Sequence, residues 1–310
     1  MTVAHHLERF HELPIHEFAP DDARPRPAAG EVAWRLALEY DAKHGFAELW
    51  QSFLRAVDPA GIRAVVIGPW WQGGYSSVRA VVEAMAAEAD RLPALEALFL
   101  GDVTFDECEI SWLEMGDVTP LLTAFPGLTS LAVRGSMDLC LLPVRHERLT
   151  SLRFESGGLP ATVVRAVAGS ELPVLRRLEL WLGADEYGGD ATLDDLGPFL
   201  DGSRLPELRH LGLQNSEFQD EIAAALAHAP VVARLESLDL SMGVLSDEGA
   251  AALLEGQPLT HLRSLDLHHH YLSEEMQQRL RESLPGVELD LTEAEDAGEH
   301  DEDRYVAVAE

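Results

Sequence analysis

One six-residue pattern recurs along most of the chain and limits the folds open to it. Leu-x-x-Leu-x-Leu, with Val or Phe also allowed in the last place, occurs seven times. The matches begin at Leu95, Leu128, Leu149, Leu175, Leu208, Leu235 and Leu262. A β-branched relative begins at Ile62, and a shortened version closes the series at Val287. Ordered repetition of this kind predicts a chain built by stacking one supersecondary unit many times.

The spacing inside each unit predicts a strand followed by a helix. The last two apolar residues of a unit are two apart, so both side chains point to the same face of a short strand. Helical spacing follows in QDEIAAALAHAP and SDEGAAALLEGQP, where Ser246 is placed as an N-cap, as Ser273 is in the next unit. We therefore predict an α/β solenoid of about eight repeats plus caps. Parallel strands form its concave face, and helices and extended segments form its convex face.

Three regions are predicted from the limits of the repeat. Residues 1–60 form an N-terminal cap, with a strand pair that includes VAWRLALEY and an amphipathic helix in FAELWQSFLRAV. Residues 61–291 form the solenoid, with an extended crossing where only 21 residues separate Leu131 from Leu152. Residues 292–310 are an acidic tail that we expect to be disordered. Its last segment, RYVAVAE, has strand propensity and could dock, but a frayed end is favoured.

Charge and cysteine content restrict partners and compartment. The 310 residues contain 23 Lys and Arg against 54 Asp and Glu, a formal net charge of −31. Such a balance argues against nucleic acid and against an anionic membrane surface, because both require clustered cations. Two cysteines provide no disulfide framework, and the first residues lack the basic start and apolar core of an export signal. We expect a cytoplasmic protein.

Two of the repeats resemble a known family. LDLSMGVLSDEGAAALL and LGLQNSEFQDEIAAALA resemble the leucine-rich repeats of the ribonuclease-inhibitor type. That type implies a strand and a helix in each repeat of about 28 residues. The family's buried Asn or Cys after the strand should fall at Ser136, Gly157, Gly183, Ser216, Gly243 and His270. None of these is Asn or Cys, which implies that the turn backbone finds other hydrogen-bond partners.

The whole chain is also similar to an uncharacterised leucine-rich-repeat family of Streptomyces-like actinobacteria. The segments FESGGLP, LDLHHHYLSE and RYVAVAE contribute to this resemblance. Genes for radical-SAM and ATP-grasp proteins lie beside members of that family. The resemblance therefore implies an accessory role in a modification-enzyme complex.

The residues that alternate with the core leucines are predicted to line the concave face. They are small and apolar in the first strands and acidic, with an aromatic residue, in the later ones. The candidate partner-binding residues are Phe99, Arg153, Glu155, Arg177, Glu179, Trp181, His210, Gln214, Asp239, Asp266 and His268. Phe99 and Trp181 are the aromatic type that anchors interfaces. A solvated face with no partner is the alternative interpretation.

These features favour a non-catalytic protein-interaction scaffold that binds a protein partner, with a basic surface favoured, in its concave face. We expect no enzyme activity, no cofactor and no metal site. The run His268, His269 and His270 does not predict a metal site, because adjacent side chains on a strand point to opposite faces. The alternatives are a metal-dependent enzyme that uses the region of Asp239, Asp266, His268 and His210, and an accessory subunit. Oligomeric state and the partner's identity stay open.

Overall fold

The computed structural model describes residues 3–22, 24–296 and 304–310. Within these residues, twelve strands form one sheet, and their order in the sheet is their order in the chain. The strands are β1 (Arg9–Phe10), β2 (Leu13–Glu17), β3 (Ala33–Leu36), β4 (Ala64–Ile67), β5 (Ala97–Leu100), β6 (Ser130–Arg134), β7 (Ser151–Glu155), β8 (Arg177–Gly183), β9 (His210–Ser216), β10 (Ser237–Asp239), β11 (Ser264–Asp266) and β12 (Glu288–Asp290). This succession of neighbouring strands is that of a leucine-rich-repeat solenoid.

The strand register places the repeats directly beside one another. β1 and β2 are antiparallel, and all later neighbours are parallel. The middle apolar residues of the units form one ladder across the sheet: Val65, Leu98, Leu131, Leu152, Leu178, Leu211, Leu238, Leu265 and Leu289. The alignment predicted from the sequence pattern is confirmed by this register.

Eight helices in the described part of the chain pack on one face of the sheet. They are α1 (Phe46–Ala56), α2 (Arg79–Ala87), α3 (Thr119–Ala124), α4 (Ala161–Gly169), α5 (Leu193–Leu200), α6 (Gln219–Leu226), α7 (Asp247–Glu255) and α8 (Glu274–Ser283). Their buried side chains and the leucine ladder form one hydrophobic core. Ser246 and Ser273 cap α7 and α8 by accepting backbone N–H groups, as predicted. None of these helices is both long and apolar enough to cross a bilayer.

The short unit between β6 and β7 contains no helix. Residues 135–150 run in an extended path, with isolated bridges from Met137 to Glu114 and from Cys140 to Asp117. The extended crossing predicted for this interval is confirmed. Pro143 lies in it and could not supply a helical N–H.

An N-terminal hairpin continues the sheet beyond the repeats. His11 and Glu12 join β1 to β2, and both have positive φ, the geometry of a two-residue type I′ turn. Helix α1 buries the predicted side chains Phe46, Leu49, Trp50, Phe53 and Leu54. Trp34 of β3 packs among them, with its ring centroid 5.5 Å from that of Phe53.

The turn backbone uses replacement partners at the positions where the resembled family has Asn or Cys. The His270 ring accepts a hydrogen bond from the backbone N of Leu272 at 3.1 Å, and its other nitrogen lies 3.3 Å from Leu291 O. Ser216 Oγ accepts from the backbone N of Phe218 at 3.2 Å. The prediction that other groups satisfy these turns is confirmed at these two positions.

The C-terminal segment departs from the expected disorder. Backbone pairing continues beyond β12, where Ala294 bridges His270. Residues 304–310 pack against the turns that follow the strands, and Val306, Ala307 and Val308 are buried. The expectation of a frayed RYVAVAE end is therefore wrong, because three apolar side chains in this short segment find a surface to bury against. The expected disorder of 297–303 lies outside the described residues.

Candidate binding face

The face of the sheet opposite the helices, here called the inner face, carries the predicted site residues. Its central register row runs Val66, Phe99, Ala132, Arg153, Glu179, Gly212, Asp239, Asp266 and Asp290. Residues two positions before and after this row share the face, because side chains alternate along a strand. Arg177, His210, Gln214, Trp181, Glu155 and His268 all lie at such positions.

The apolar half of the inner face is already covered by the protein itself. Phe10 of the N-terminal hairpin packs edge-on against Phe99, with ring centroids 5.8 Å apart at 82°. The other buried members of this small second core are Ala33, Ala64, Val66, Ala97 and Ala132. Phe99 is fully buried, so the prediction that it anchors a partner is wrong. The alanines on the neighbouring strands leave the room that the hairpin fills.

A chain of ion pairs crosses the middle of the inner face. Arg35 Nε lies 2.7 Å from Asp102 Oδ2, and Arg134 Nε lies 2.7 Å from Glu155 Oε2. Arg134 also lies 4.0 Å from Asp102, which joins the two pairs. The alternation pattern does not identify Asp102, because this residue follows β5 and does not lie in it. Its partner Arg35 lies in β3 and does follow the alternation.

The same chain of ion pairs continues through four of the predicted residues. Arg153 Nε lies 3.0 Å from Glu155 Oε1 and 3.8 Å from Glu179 Oε2. Arg177 pairs with Glu179 Oε1. Burial alone would raise the pKa of Glu179, but a hydrogen bond from His210 when its Nε2 carries the proton, and the charges of Arg153 and Arg177, lower it to about 2. Glu179 is therefore ionised. Both Glu155 and Glu179 are buried and engaged in internal ion pairs.

Carboxylates without arginine partners occupy the last strands. Asp239, Asp266 and Asp290 lie side by side in register on β10, β11 and β12. Among the described residues, no arginine or lysine forms an ion pair with any of the three. Burial and then the neighbouring Asp266 raise the pKa of Asp239 to about 6. Like charges placed opposite each other are unfavourable unless a cation or a proton joins them.

The three consecutive histidines separate, as predicted. His268 Nδ1 lies 2.8 Å from Asp266 Oδ1 on the inner face, and this hydrogen bond raises the pKa of His268. His269 Nε2 lies 3.1 Å from Tyr305 O, whereas His270 contacts the turn backbone. Two mixed groups instead bring metal-ligating atoms within 4.8 Å of one another: Glu179, His210 and Asp239, and also Asp266, His268 and Asp290.

The C-terminal segment lies at the carboxyl ends of the same strands. Asn215, near the end of β9, and Met242 and His269, which follow β10 and β11, occupy equivalent positions 27 residues apart, each with positive φ. Ala307 N donates to Met242 O at 2.8 Å, and Val308 N donates to Asn215 Oδ1 at 2.9 Å. Trp181, a predicted anchor, is half-buried against this segment. The 27-residue repeat thus builds a row of turns that binds an extended peptide of the same chain.

Comparison with known proteins identifies relatives by structure. No family model and no curated protein sequence matches the chain. The crystal structure of a Bacteroides fragilis protein, from a structural genomics consortium, matches with a TM-score of 0.80 and 32% sequence identity. The match covers 86% of this chain and 76% of the other. The chain belongs to the family of that protein.

Two other solved structures align over much of the chain but superpose poorly. An internalin from Listeria monocytogenes has 15% identity and a TM-score of 0.42, covering 84% of this chain and 61% of its own. A leucine-rich-repeat protein from Leptospira interrogans has 12% identity and a TM-score of 0.19, covering 84% of this chain and 90% of its own. At these scores neither bears on the function of the family.

Proposed function

We propose that the protein is a non-catalytic scaffold that binds a basic segment of a protein partner at the acidic end of its inner face. The acidic end comprises Asp266, Glu288 and Asp290, with Asp239 beside them. The observation that carries the proposal is the row of carboxylates in register, one on each of three adjacent strands, without an arginine or lysine partner among the described residues. Adjacent strands are about 4.8 Å apart, so this row presents closely spaced negative charges.

The rest of the inner face explains why the acidic end is favoured over the other candidate residues. The hairpin covers the apolar half, and ion pairs neutralise the middle, where Glu155 and Glu179 are buried. Asp266 and Asp290 are only half-buried, and Glu288 is exposed. A lysine- or arginine-rich surface would relieve the repulsion within the row and would be attracted from a distance by the net charge of −31.

The test is affinity capture from the native host with a matched pair of variants. The double variant Asp266→Asn/Asp290→Asn removes two charges from the acidic end. The control, Glu255→Gln/Glu282→Gln, removes two exposed charges from helices α7 and α8 on the other face. We expect a protein that is captured by the wild type and the control but not by the acidic-end variant.

Kinetics on the captured partner then test the electrostatic part of the proposal. Association should slow as salt rises, and the acidic-end variant should associate more slowly and with a flatter salt dependence. Capture that is equal for all three proteins, together with binding that is insensitive to salt, would refute binding at this surface.

A further inference from the structure

A second group of side chains lies deeper in the inner face, at the junction of β8, β9 and β10. Ligand-type atoms of Glu179, His210 and Asp239 lie within 4.8 Å of one another. Gly212 of β9 is in register with Glu179 of β8 and with Asp239 of β10. The two carboxylates therefore lie on either side of a position that has no side chain. All three ligand-type residues are buried. The space above Gly212 is therefore bordered by one imidazole and two carboxylates.

Gln214 directs an unpaired oxygen into the same space. Its residue is 5% exposed, and its Oε1 has no hydrogen-bond partner. A methyl group built at Gly212 would lie 2.8 Å from this oxygen and 3.1 Å from Glu179 Cγ. The oxygen thus lies over Gly212, beside groups that are themselves acceptors. A buried acceptor among carboxylates requires a donor or a cation.

Hydrogen bonds fix the orientation of the Gln214 amide. Ser241 Oγ lies 2.6 Å from Asp239 Oδ1 and donates its single proton there. The Ser241 oxygen must then act as the acceptor for Gln214 Nε2, at 3.2 Å. The amide NH₂ faces Ser241 for this reason, and its oxygen faces the space over Gly212.

The His210 ring is held in a way that suits a metal ligand. Its Nδ1 lies 2.7 Å from Ser237 Oγ, and donation of Nδ1–H to this hydroxyl leaves the Nε2 lone pair free. Nε2 lies 3.2 Å from Glu179 Oε1, and with the ring proton on Nδ1 it makes no hydrogen bond. A hydrogen bond from the second ring nitrogen commonly orients metal-binding histidines.

We propose that Glu179, His210, Gln214 and Asp239 bind one divalent transition-metal ion. One imidazole nitrogen and three oxygens form a donor set suited to Zn²⁺ or Mn²⁺, whereas Mg²⁺ and Ca²⁺ favour oxygen donors alone. Arg177 and Arg153 already pair with Glu179, so affinity should be below that of a closed structural zinc site. Binding of the ion does not require the proposed protein partner, and no reaction is assigned to the bound ion.

The test uses the full chain freed of metal by dialysis against a chelator and then titrated with Zn²⁺ alone. Calorimetry and elemental analysis after equilibrium dialysis should give one equivalent of zinc per chain, and bound Zn²⁺ should raise the melting temperature.

His210→Ala and Asp239→Asn should each weaken zinc binding by tenfold or more. Ser237→Ala should weaken zinc binding by about tenfold, because the Ser237 hydroxyl orients the His210 ring and the substitution removes it. Gln214→Glu should tighten it, an outcome that a purely structural role for Gln214 does not predict.

The neighbouring cluster supplies the control. His268→Ala alters the group of Asp266, His268 and Asp290 and should leave the zinc affinity unchanged. Circular dichroism and melting of the metal-free variants establish that each is folded. Wild-type protein that takes up less than half an equivalent, or binding that survives His210→Ala and is lost with His268→Ala, overturns the assignment. Asp266→Asn/Asp290→Asn should retain zinc, and His210→Ala should retain the captured partner, so the two proposals can fail separately.

Discussion

Neighbouring residues on one strand have opposite environments, and this alternation governs what each substitution does. Leu265 is fully buried in the core ladder, whereas Asp266, the next residue, is half-exposed on the inner face. Leu265→Asp would place an unpaired charge in an apolar core and should cost several kcal/mol of unfolding free energy. At pH 9, where the contact with His268 no longer contributes, Asp266→Leu should change it by less than about 1 kcal/mol. Urea denaturation measures both, and equal losses would mean that the two faces are assigned incorrectly.

The pair of His268 and Asp266 makes stability depend on pH. The hydrogen bond to Asp266 raises the pKa of His268 above its ordinary 6.5, so the folded state holds the proton more tightly than the unfolded state. The stabilisation is complete below pH 6.5 and is lost as the pH rises through the folded-state pKa. Asp266→Asn should therefore cost on the order of 1 kcal/mol at pH 5.5 and little or nothing at pH 9.

Nuclear magnetic resonance titration of the histidines checks this linkage directly. In Asp266→Asn, the pKa of His268 should fall towards its ordinary value, because the variant removes the carboxylate that raises it. A variant whose stability loss is the same at both pH values would show that the ion pair does not contribute.

At the scale of elements, the repeat builds a binding surface for the chain's own C-terminal segment. Val308 is 3% exposed and packs in an apolar cluster with Ile110, Met242 and Trp181. Val308→Asp would have to bury a carboxylate there, so release of residues 304–310 costs less than keeping them docked. Amide exchange should then become fast in 304–310 while the exchange of β9 and β10 stays slow. Glu310→Gln, at an exposed position, is the control and should keep the segment docked.

The phenol of Tyr187 gives a second measure of the same contact. Its hydroxyl donates to Glu310 Oε1 at 2.8 Å, and this hydrogen bond raises the pKa of Tyr187 to about 12. Both Val308→Asp and Glu310→Gln should lower that pKa towards its ordinary value of 10.0, the first by removing the segment and the second by removing the charge. Ultraviolet titration of phenolate formation follows it. An unchanged titration in Val308→Asp would show that the segment stays docked.

Elements specified by local periodicity were predictable from the sequence, and those that depend on contacts distant in the chain were not. The leucine ladder, the Ser246 and Ser273 caps and helix α1 follow from spacing within a few residues. Phe10 over Phe99 and Val308 against Asn215 join segments about 90 residues apart, which no local pattern encodes. Alternation correctly predicted which candidate residues lie on the inner face. It could not distinguish Glu179, used in internal ion pairs, from Asp266, which has no arginine partner.

For the whole molecule, charge is distributed unevenly along the stacked repeats. Arginine and carboxylate partners alternate from Arg35 to Glu179, whereas the last three strands add carboxylates in register without arginines. A basic surface or a divalent cation would each relieve this local excess, and the two proposals share only Asp239. The buried pairs should be insensitive to salt, and the exposed carboxylates should not be.

The net charge of −31 leads to a prediction about the stability of the whole molecule. Repulsion among exposed acids acts on the compact state more than on the expanded unfolded chain, so screening should favour folding. Raising NaCl from 20 to 200 mM shortens the screening length from roughly 20 to 7 Å, and the melting temperature should rise by several degrees. NaCl is preferable to sulfate because sulfate also stabilises proteins through its exclusion from their surfaces. An equal osmolarity of sucrose controls for solute exclusion and should give a smaller rise. A melting temperature that falls with NaCl would instead mean that exposed ion pairs, such as Arg165 with Asp195, outweigh the repulsion.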